Sequence, residues 1–231
     1  MFQSLWILTM LSCGMGRERI NQNPTLNVQL VADYSNRGLK KSYKSSVKIV
    51  VIKQEEILGN GSGNYFSYKG KNFIITSAHV VEEVDHIIAE GRLGIESVAC
   101  EIIYINNESD IAILVPRKDL QSIEPVKYTW SNKVKRGEIV YFTNNPSGLS
   151  DVSFHGTVAG STAEYYIIQS AAWMGSSGSV AFNKKGQAIG VLAGVKVGYS
   201  PLGFVQVINN IVMVSPIFFL NTELLEKILN L

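Results

Sequence analysis

The sequence predicts an all-β protein, a sandwich or barrel, on three observations. From residue 45 onward, short segments rich in valine, isoleucine and aromatic residues recur at regular spacing. Clusters of Gly, Asn and Ser punctuate them, with 20 glycines in 231 residues. One stretch alone, residues 222–231, carries helical spacing: Leu224, Leu225, Ile228 and Leu229 share a face, and Asn221 or Thr222 stands ready as cap.

Taken in order, residues 47–52 form a β-branched run, read as a strand, and residues 58–63, with three glycines, read as a turn. Residues 65–68 and 72–76 flank Lys69-Gly70-Lys71 as a hairpin. Residues 80–86 read as a short helical turn. Strands follow at 98–105 and 111–115, separated by the turn 106–109, then at 138–143, 152–159, 165–169, 179–183, 188–195 and 204–207. No repeat of solenoid period is present.

Composition sets the outer limits. Hydrophobic residues make up 46% and charged residues 17%, a globular balance. The net charge of +2 is too small to argue for a nucleic-acid partner. It is unevenly placed: residues 1–53 hold eight Lys/Arg against Glu18 and Asp33, so the remainder is acidic. Residues 1–44 read as a solvated basic leader. Two cysteines, Cys13 and Cys100, give no disulfide framework. No apolar run approaches the length of a membrane-spanning helix. The apolar stretch 5–11, followed by Ser12, Cys13 and Gly14, has the proportions of a signal-peptide core, though no Lys or Arg precedes it. If residues 1–16 act as a signal, the protein is secreted, periplasmic or membrane-anchored.

Chemistry concentrates in three motifs. Thr76-Ser-Ala-His79-Val-Val follows an apolar strand, so the histidine is rigidly held. Asp110 opens the apolar run Ile111-Ala-Ile-Leu114, where a carboxylate needs a partner. Trp173-Met-Gly175-Ser-Ser177-Gly-Ser179 lies between two strands, and its small residues let amides converge beside a displayed hydroxyl. Each alone has an ordinary structural explanation. Together they place His79, Asp110 and Ser177 in the chain order of a two-barrel serine protease. A serine hydroxyl needs a neutral imidazole as base, and the imidazole needs a carboxylate to set its tautomer. The order opposes that of α/β-hydrolases, and three scattered histidines offer no metal-ligand spacing.

These residues resemble the trypsin-like serine peptidases, and within them the protease domain of the HtrA/Deg group, over about residues 45–231. Ser77-Ala-His79-Val-Val81 is similar to the family's histidine motif, Asp110-Ile-Ala-Ile-Leu to its aspartate motif, and Gly175-Ser-Ser-Gly-Ser179 to its Gly-x-Ser-Gly-Gly motif. Asn145-Pro-Ser-Gly-Leu149 and Asn183-Lys-Lys-Gly-Gln-Ala-Ile-Gly-Val191 add two further matches in order.

The resemblance implies two six-stranded antiparallel β-barrels closed by a C-terminal helix. The first barrel would span 45–130 with His79 and Asp110, and the second 131–231 with Ser177 and the helix. It implies Ser177 as nucleophile, His79 as base, Asp110 as its orienter, and the amides of Gly175 and Ser177 as oxyanion hole. Ala171, Ala172, Leu192, Ala193 and Gly194 would line the specificity pocket. None of these is acidic, so a small or medium apolar residue is expected before the cut. No cofactor or metal is implied; the partner is a protein or peptide substrate, no nucleic acid is required, and the leader is the candidate for membrane contact. Ser179 stands where the family has a second glycine, and Ser176 where secreted trypsin relatives have aspartate. The loop would then be held by neutral hydrogen bonds and by packing of Trp173 and Met174. The stretch after Ser177 suffices for the second barrel alone, so no peptide-binding PDZ domain is expected. The competing class is a catalytically silent protease-like binding module.

Overall fold

The computed structural model describes residues 34–199 and 205–231. The signal-like stretch and Cys13 lie outside these residues.

Six strands close the first barrel: β1 (Ser46–Lys53), β2 (Glu56–Tyr68), β3 (Lys71–Thr76), β4 (His86–Glu90), β5 (Ser97–Asn106) and β6 (Ile111–Pro116). Their order is β1-β4-β5-β6-β3-β2, with β2 pairing back on β1. A two-residue strand, β7 (Val126–Lys127), runs parallel beside β2. The second barrel comprises β8 (Ile139–Asn144), β9 (Val152–Ser161), β10 (Tyr166–Gln169), β11 (Val180–Asn183), β12 (Ala188–Tyr199) and β13 (Val205–Pro216). These close in the order β10-β13-β12-β11-β8-β9. Closure removes the unpaired edges that an open sheet would expose. The all-β, two-barrel expectation therefore holds, including the terminal helix at Thr222–Leu229.

The apolar runs owe their length to burial on both faces. Side chains alternate across a strand, so each face needs its own core. On β3, Ile74 enters the first barrel while Phe73 and Ile75 face outward into a central core. On β6, Ala112 and Leu114 point in and Ile111 and Ile113 point out. From the second barrel, Val180 and Phe182 of β11 join that central core while Ala181 turns inward. Burying one such side chain contributes roughly 1.5–3 kcal/mol. The aromatic rings of Phe66 and Tyr128 meet edge to face at 5.4 Å within it. The C-terminal helix adds Leu225 and Leu229, and its Asn221 cap accepts from the Leu224 amide at 2.9 Å.

Several local expectations are corrected. Residues 58–63 are not a turn but the middle of β2. The chain instead reverses at Gln54 and Glu55, both at positive φ (51° and 66°). The glycines answer to close approach: a Cβ on Gly61 would lie 2.6 Å from Val80 Cγ1 and 3.2 Å from the Ser177 carbonyl oxygen. The helical turn expected at 80–86 is shorter and earlier, Ala78–Val81, and His86 begins β4. Strand β13 runs to Pro216, well past the expected end at 207.

A helix absent from the sequence reading, α1 (Arg37–Ser45), lies within the stretch read as a solvated leader. Asn36 caps it, accepting from the Leu39 amide at 2.9 Å. Its buried face is made of Gly38, Ser42 and Ser45 rather than leucines, so no apolar periodicity betrays it. Ser42 Oγ donates to Thr143 Oγ1 of the second barrel at 2.9 Å. Asn64 of the first barrel donates to the Ser42 carbonyl (3.2 Å) and to Ser45 Oγ (2.8 Å). The helix thus clamps both barrels, and the folded body begins before residue 45. A chain starting at Ser42 is expected to melt roughly 6 °C lower, from about 2 kcal/mol of lost cap and buried hydrogen bonds. An unchanged melting temperature in calorimetry would show that α1 contributes nothing.

Candidate active site

His79 sits in the single turn α2 (Ala78–Val81), directly after β3. Two buried hydroxyls fix that corner: Thr76 Oγ1 donates to the Ser62 carbonyl at 2.7 Å, and Ser77 Oγ to the Leu192 carbonyl at 2.8 Å. Asp110 occupies the turn before β6 at φ 49°. A positive φ is uncommon outside glycine, and aspartate is among the residues that tolerate it. From there its carboxylate faces His79 Nδ1 at 2.9 Å (Oδ2) and 3.0 Å (Oδ1). The same Oδ1 accepts the His79 backbone N–H at 3.0 Å. Its side chain is 15% exposed and that of His79 46%. One edge of the imidazole is pinned and the other is open. With its proton on Nδ1, the ring presents an Nε2 lone pair, the form a general base requires.

Ser177 comes from the loop ahead of β11. Its carbonyl accepts from the Ser62 amide at 2.8 Å, which ties the loop across the barrel junction to β2. Gly178, at φ 91°, sends its N–H to the Leu192 carbonyl at 2.8 Å. That carbonyl is the one Ser77 Oγ also uses, so one oxygen anchors both the residue after Ser177 and the corner that carries His79. A Cβ at Gly178 would collide with the Ser62 carbonyl and Thr76 Oγ1. Only glycine satisfies both the φ and the space.

The preceding loop is held by polar contacts. Trp173 N donates to Ser176 Oγ at 3.1 Å, and Ser176 N returns to the Trp173 carbonyl at 2.9 Å. Ser62 Oγ donates to the Gly175 carbonyl at 2.7 Å, and Ser147 N to the Met174 carbonyl at 2.8 Å. Ser179 Oγ donates to the Ser176 carbonyl at 2.9 Å, so the extra side chain at that position braces the turn instead of crowding it. The amides of Gly175 and Ser177 donate to no other group among the described residues. Trp173 and Met174 are 53% and 79% exposed, so they are not packed into a core and the loop is held chiefly by its hydrogen bonds.

Of the expected pocket residues, Ala172 and Leu192 are buried in the second core. Ala171 is exposed, and Ala193 and Gly194 are half-buried where the β12–β13 register slips. Two residues outside the His79, Asp110 and Ser177 motifs prove central to the support: Ser62, which carried no signal in the sequence, and Asn145, which opens the motif at 145–149. Ser62 contacts Ser177, Gly175, Thr76 and Asn145. Asn145 Nδ2 reaches the Val47 carbonyl at 3.2 Å, and its Oδ1 accepts from Asp151 N at 3.1 Å. Cys100 offers no rival nucleophile, because burial pushes its thiol up to about 11. Among the described residues, no three His, Cys, Asp or Glu side chains converge as a metal site would need.

The family model of the trypsin-like peptidase domain matches residues 61–191, more than half of the chain and the whole span from Ser62 to Ser177. The chain belongs to that family. This trypsin-like peptidase domain is 31% identical over 143 residues to the "Probable periplasmic serine protease do/HhoA-like" of Haemophilus influenzae, covering 58% of this chain and 30% of the relative. It is 29% identical over 157 residues to the "Probable periplasmic serine endoprotease DegP-like" of Brucella suis, covering 64% and 29%. It thus spans about three tenths of the length of these curated relatives. Among solved structures, the HtrA-type protease AlgW with tripeptide superposes with a TM-score of 0.65 at 21% identity, over 83% of this chain and 62% of that one. A serine endoprotease from Yersinia pestis superposes with 0.64, also at 21%, over 87% and 68%. Both establish the shared fold.

Proposed function

We propose that the trypsin-like peptidase domain is a serine endopeptidase working through Ser177, His79 and Asp110. The observation that carries this reading is the clasp of one carboxylate on both the Nδ1 and the backbone N–H of His79. It leaves the other imidazole nitrogen free, at the corner bound to the same carbonyl as Gly178.

In this scheme Ser177 Oγ attacks the scissile carbonyl carbon while His79 Nε2 takes the hydroxyl proton. The C–N bond breaks as His79 returns that proton to the leaving amine, giving an acyl-serine. Water, deprotonated by the same nitrogen, then releases the acid and restores Ser177. Asp110 stabilises the transient imidazolium and keeps the ring in place. The amides of Gly175 and Ser177 receive the oxyanion; losing one such donor costs about 3 kcal/mol in comparable enzymes. Preference for a small or medium apolar residue before the cut rests on the absence of acidic side chains from residues 171–175 and 190–195. A periplasmic setting follows the naming of the relatives.

Quenched peptides differing only in the residue before the scissile bond test this reading. Ala, Val or Leu is expected to exceed Lys, Arg or Glu by at least about tenfold in kcat/KM, a difference of about 1.4 kcal/mol. Faster cleavage after Lys or Arg would remove the apolar assignment.

A further inference from the structure

On the second barrel, the chain linking the barrels and the tip of the β11–β12 hairpin enclose an open depression of about 930 Å³. Its walls are rigid. Trp130 bridges to Ala188, Ser131 N donates to the Ala188 carbonyl (2.9 Å), and Ala188 N to the Thr129 carbonyl (2.8 Å). Asn183 Oδ1 accepts from the Lys185 and Gln187 amides at 3.0 and 3.1 Å, a tight turn that turns Lys184 and Lys185 out to solvent. The facing wall is the turn 135–138, closed by Glu138 N on the Lys135 carbonyl at 3.0 Å.

The lining charge is one-sided. Lys133, Lys135, Arg136, Lys184 and Lys185 surround the depression against the single carboxylate of Glu138. None of the five is ion-paired among the described residues. The positive surface continues onto α1, where Arg37 and Lys41 pack against Gly186. Burial and the neighbouring Arg37 and Lys127 hold the Lys41 ammonium below the usual lysine range. Unpaired like charges held together on rigid walls are unfavourable by themselves. A bound polyanion relieves them.

We infer that this groove is an exosite for an acidic segment of a polypeptide substrate, remote from the scissile bond. Shape and lining select the occupant. A concave site admits a chain, whereas a flat anionic membrane reaches only its rim. Nucleic acid without sequence preference uses stacked aromatics; here Trp130 stands alone, its indole N–H engaged by Thr222 Oγ1 at 3.2 Å. Asn132, Asn183 and Gln187 supply amide groups suited to a peptide backbone. Strand β11 (Val180–Asn183) begins three residues after Ser177 and ends at the groove, so one short strand links the two. The function of the exosite rests on the endopeptidase reading, but its binding does not.

Fluorescein-labelled decaglutamate, titrated into the full chain by anisotropy, tests the groove without catalysis. Saturable binding at about 50 mM NaCl is expected, at least tenfold weaker at about 300 mM as screening shortens the field. The exposed pair Lys184→Glu/Lys185→Glu is expected to weaken it at least tenfold, and Lys133→Glu/Lys135→Glu comparably. Circular dichroism confirms that each variant is folded. No saturable binding, wild-type affinity retained in both variants, or tighter binding of a decameric oligothymidylate or of phosphatidylglycerol vesicles would overturn the assignment. With a cleavable peptide, an acidic extension should lower KM in the wild type and not in the variants. If neither protein cleaves, the endopeptidase reading fails while the anisotropy result still decides the groove.

Discussion

Replacing Ser177 with alanine is expected to lower peptide hydrolysis by about 10⁶-fold, as when comparable nucleophiles are removed, with no loss of stability. The side chain is partly exposed and makes no hydrogen bond to the described residues; only the Ser177 backbone is used, by Ser62 N at 2.8 Å. Deleting the hydroxyl therefore removes chemistry and leaves the loop. The neighbouring serines separate the two roles. Ser176 Oγ accepts from Trp173 N, and Ser179 Oγ donates to the Ser176 carbonyl. Alanine at either site loosens the loop, with a cost on the order of 1 kcal/mol each and activity reduced far less. Turnover measured on the three variants distinguishes them. A Ser177→Ala enzyme within tenfold of wild type would remove Ser177 as nucleophile.

The largest effect on stability is expected at Asn64. It is fully buried and joins three elements: Nδ2 donates to Ser42 and Ser45 of α1, and Oδ1 accepts from Val180 N at the start of β11, at 2.8 Å. Asn64→Leu keeps the volume, removes all three bonds and leaves the Val180 N–H buried without a partner. Unsatisfied buried groups cost about 1–3 kcal/mol each, so a loss of about 3 kcal/mol is expected. For a chain of 231 residues that is a fall of roughly 10 °C in Tm. Urea unfolding followed by fluorescence measures it. A change no larger than that of an ordinary surface substitution, below about 0.5 kcal/mol, would show that the barrels and α1 are joined by their apolar core alone.

What the sequence reveals and what it hides follow from the type of force at each site. Strands β3, β6 and β11 were legible because both faces are buried, which writes continuous apolar runs into the chain. The histidine, aspartate and serine motifs were legible because those residue types, in the order of a two-barrel serine peptidase, carry the resemblance; that order belongs to the fold rather than to the chemistry. Helix α1 was hidden because small residues and hydrogen bonds dock it, and its run of basic residues, Arg37, Lys40, Lys41 and Lys44, imitates a solvated tail. The glycines of β2 imitated a turn because close approach and chain reversal call for the same residue. The support from Ser62, and the bonds that Asn145 makes from within its motif, were illegible for a further reason: their partners lie on other elements, up to 115 residues away in sequence. The exposure of Trp173 and Met174 could not be read either, since large apolar residues beside a loop normally imply packing.

The most direct test of the central claim is reaction of the intact protein with a fluorophosphonate, followed by mass spectrometry of the labelled peptide. The reagent phosphonylates only a serine activated by a base. One adduct per chain is expected, on Ser177, with labelling slowed by orders of magnitude in Asp110→Asn because the imidazole then loses its orienting carboxylate. An unlabelled wild-type protein, or an adduct on any other serine, would contradict the account.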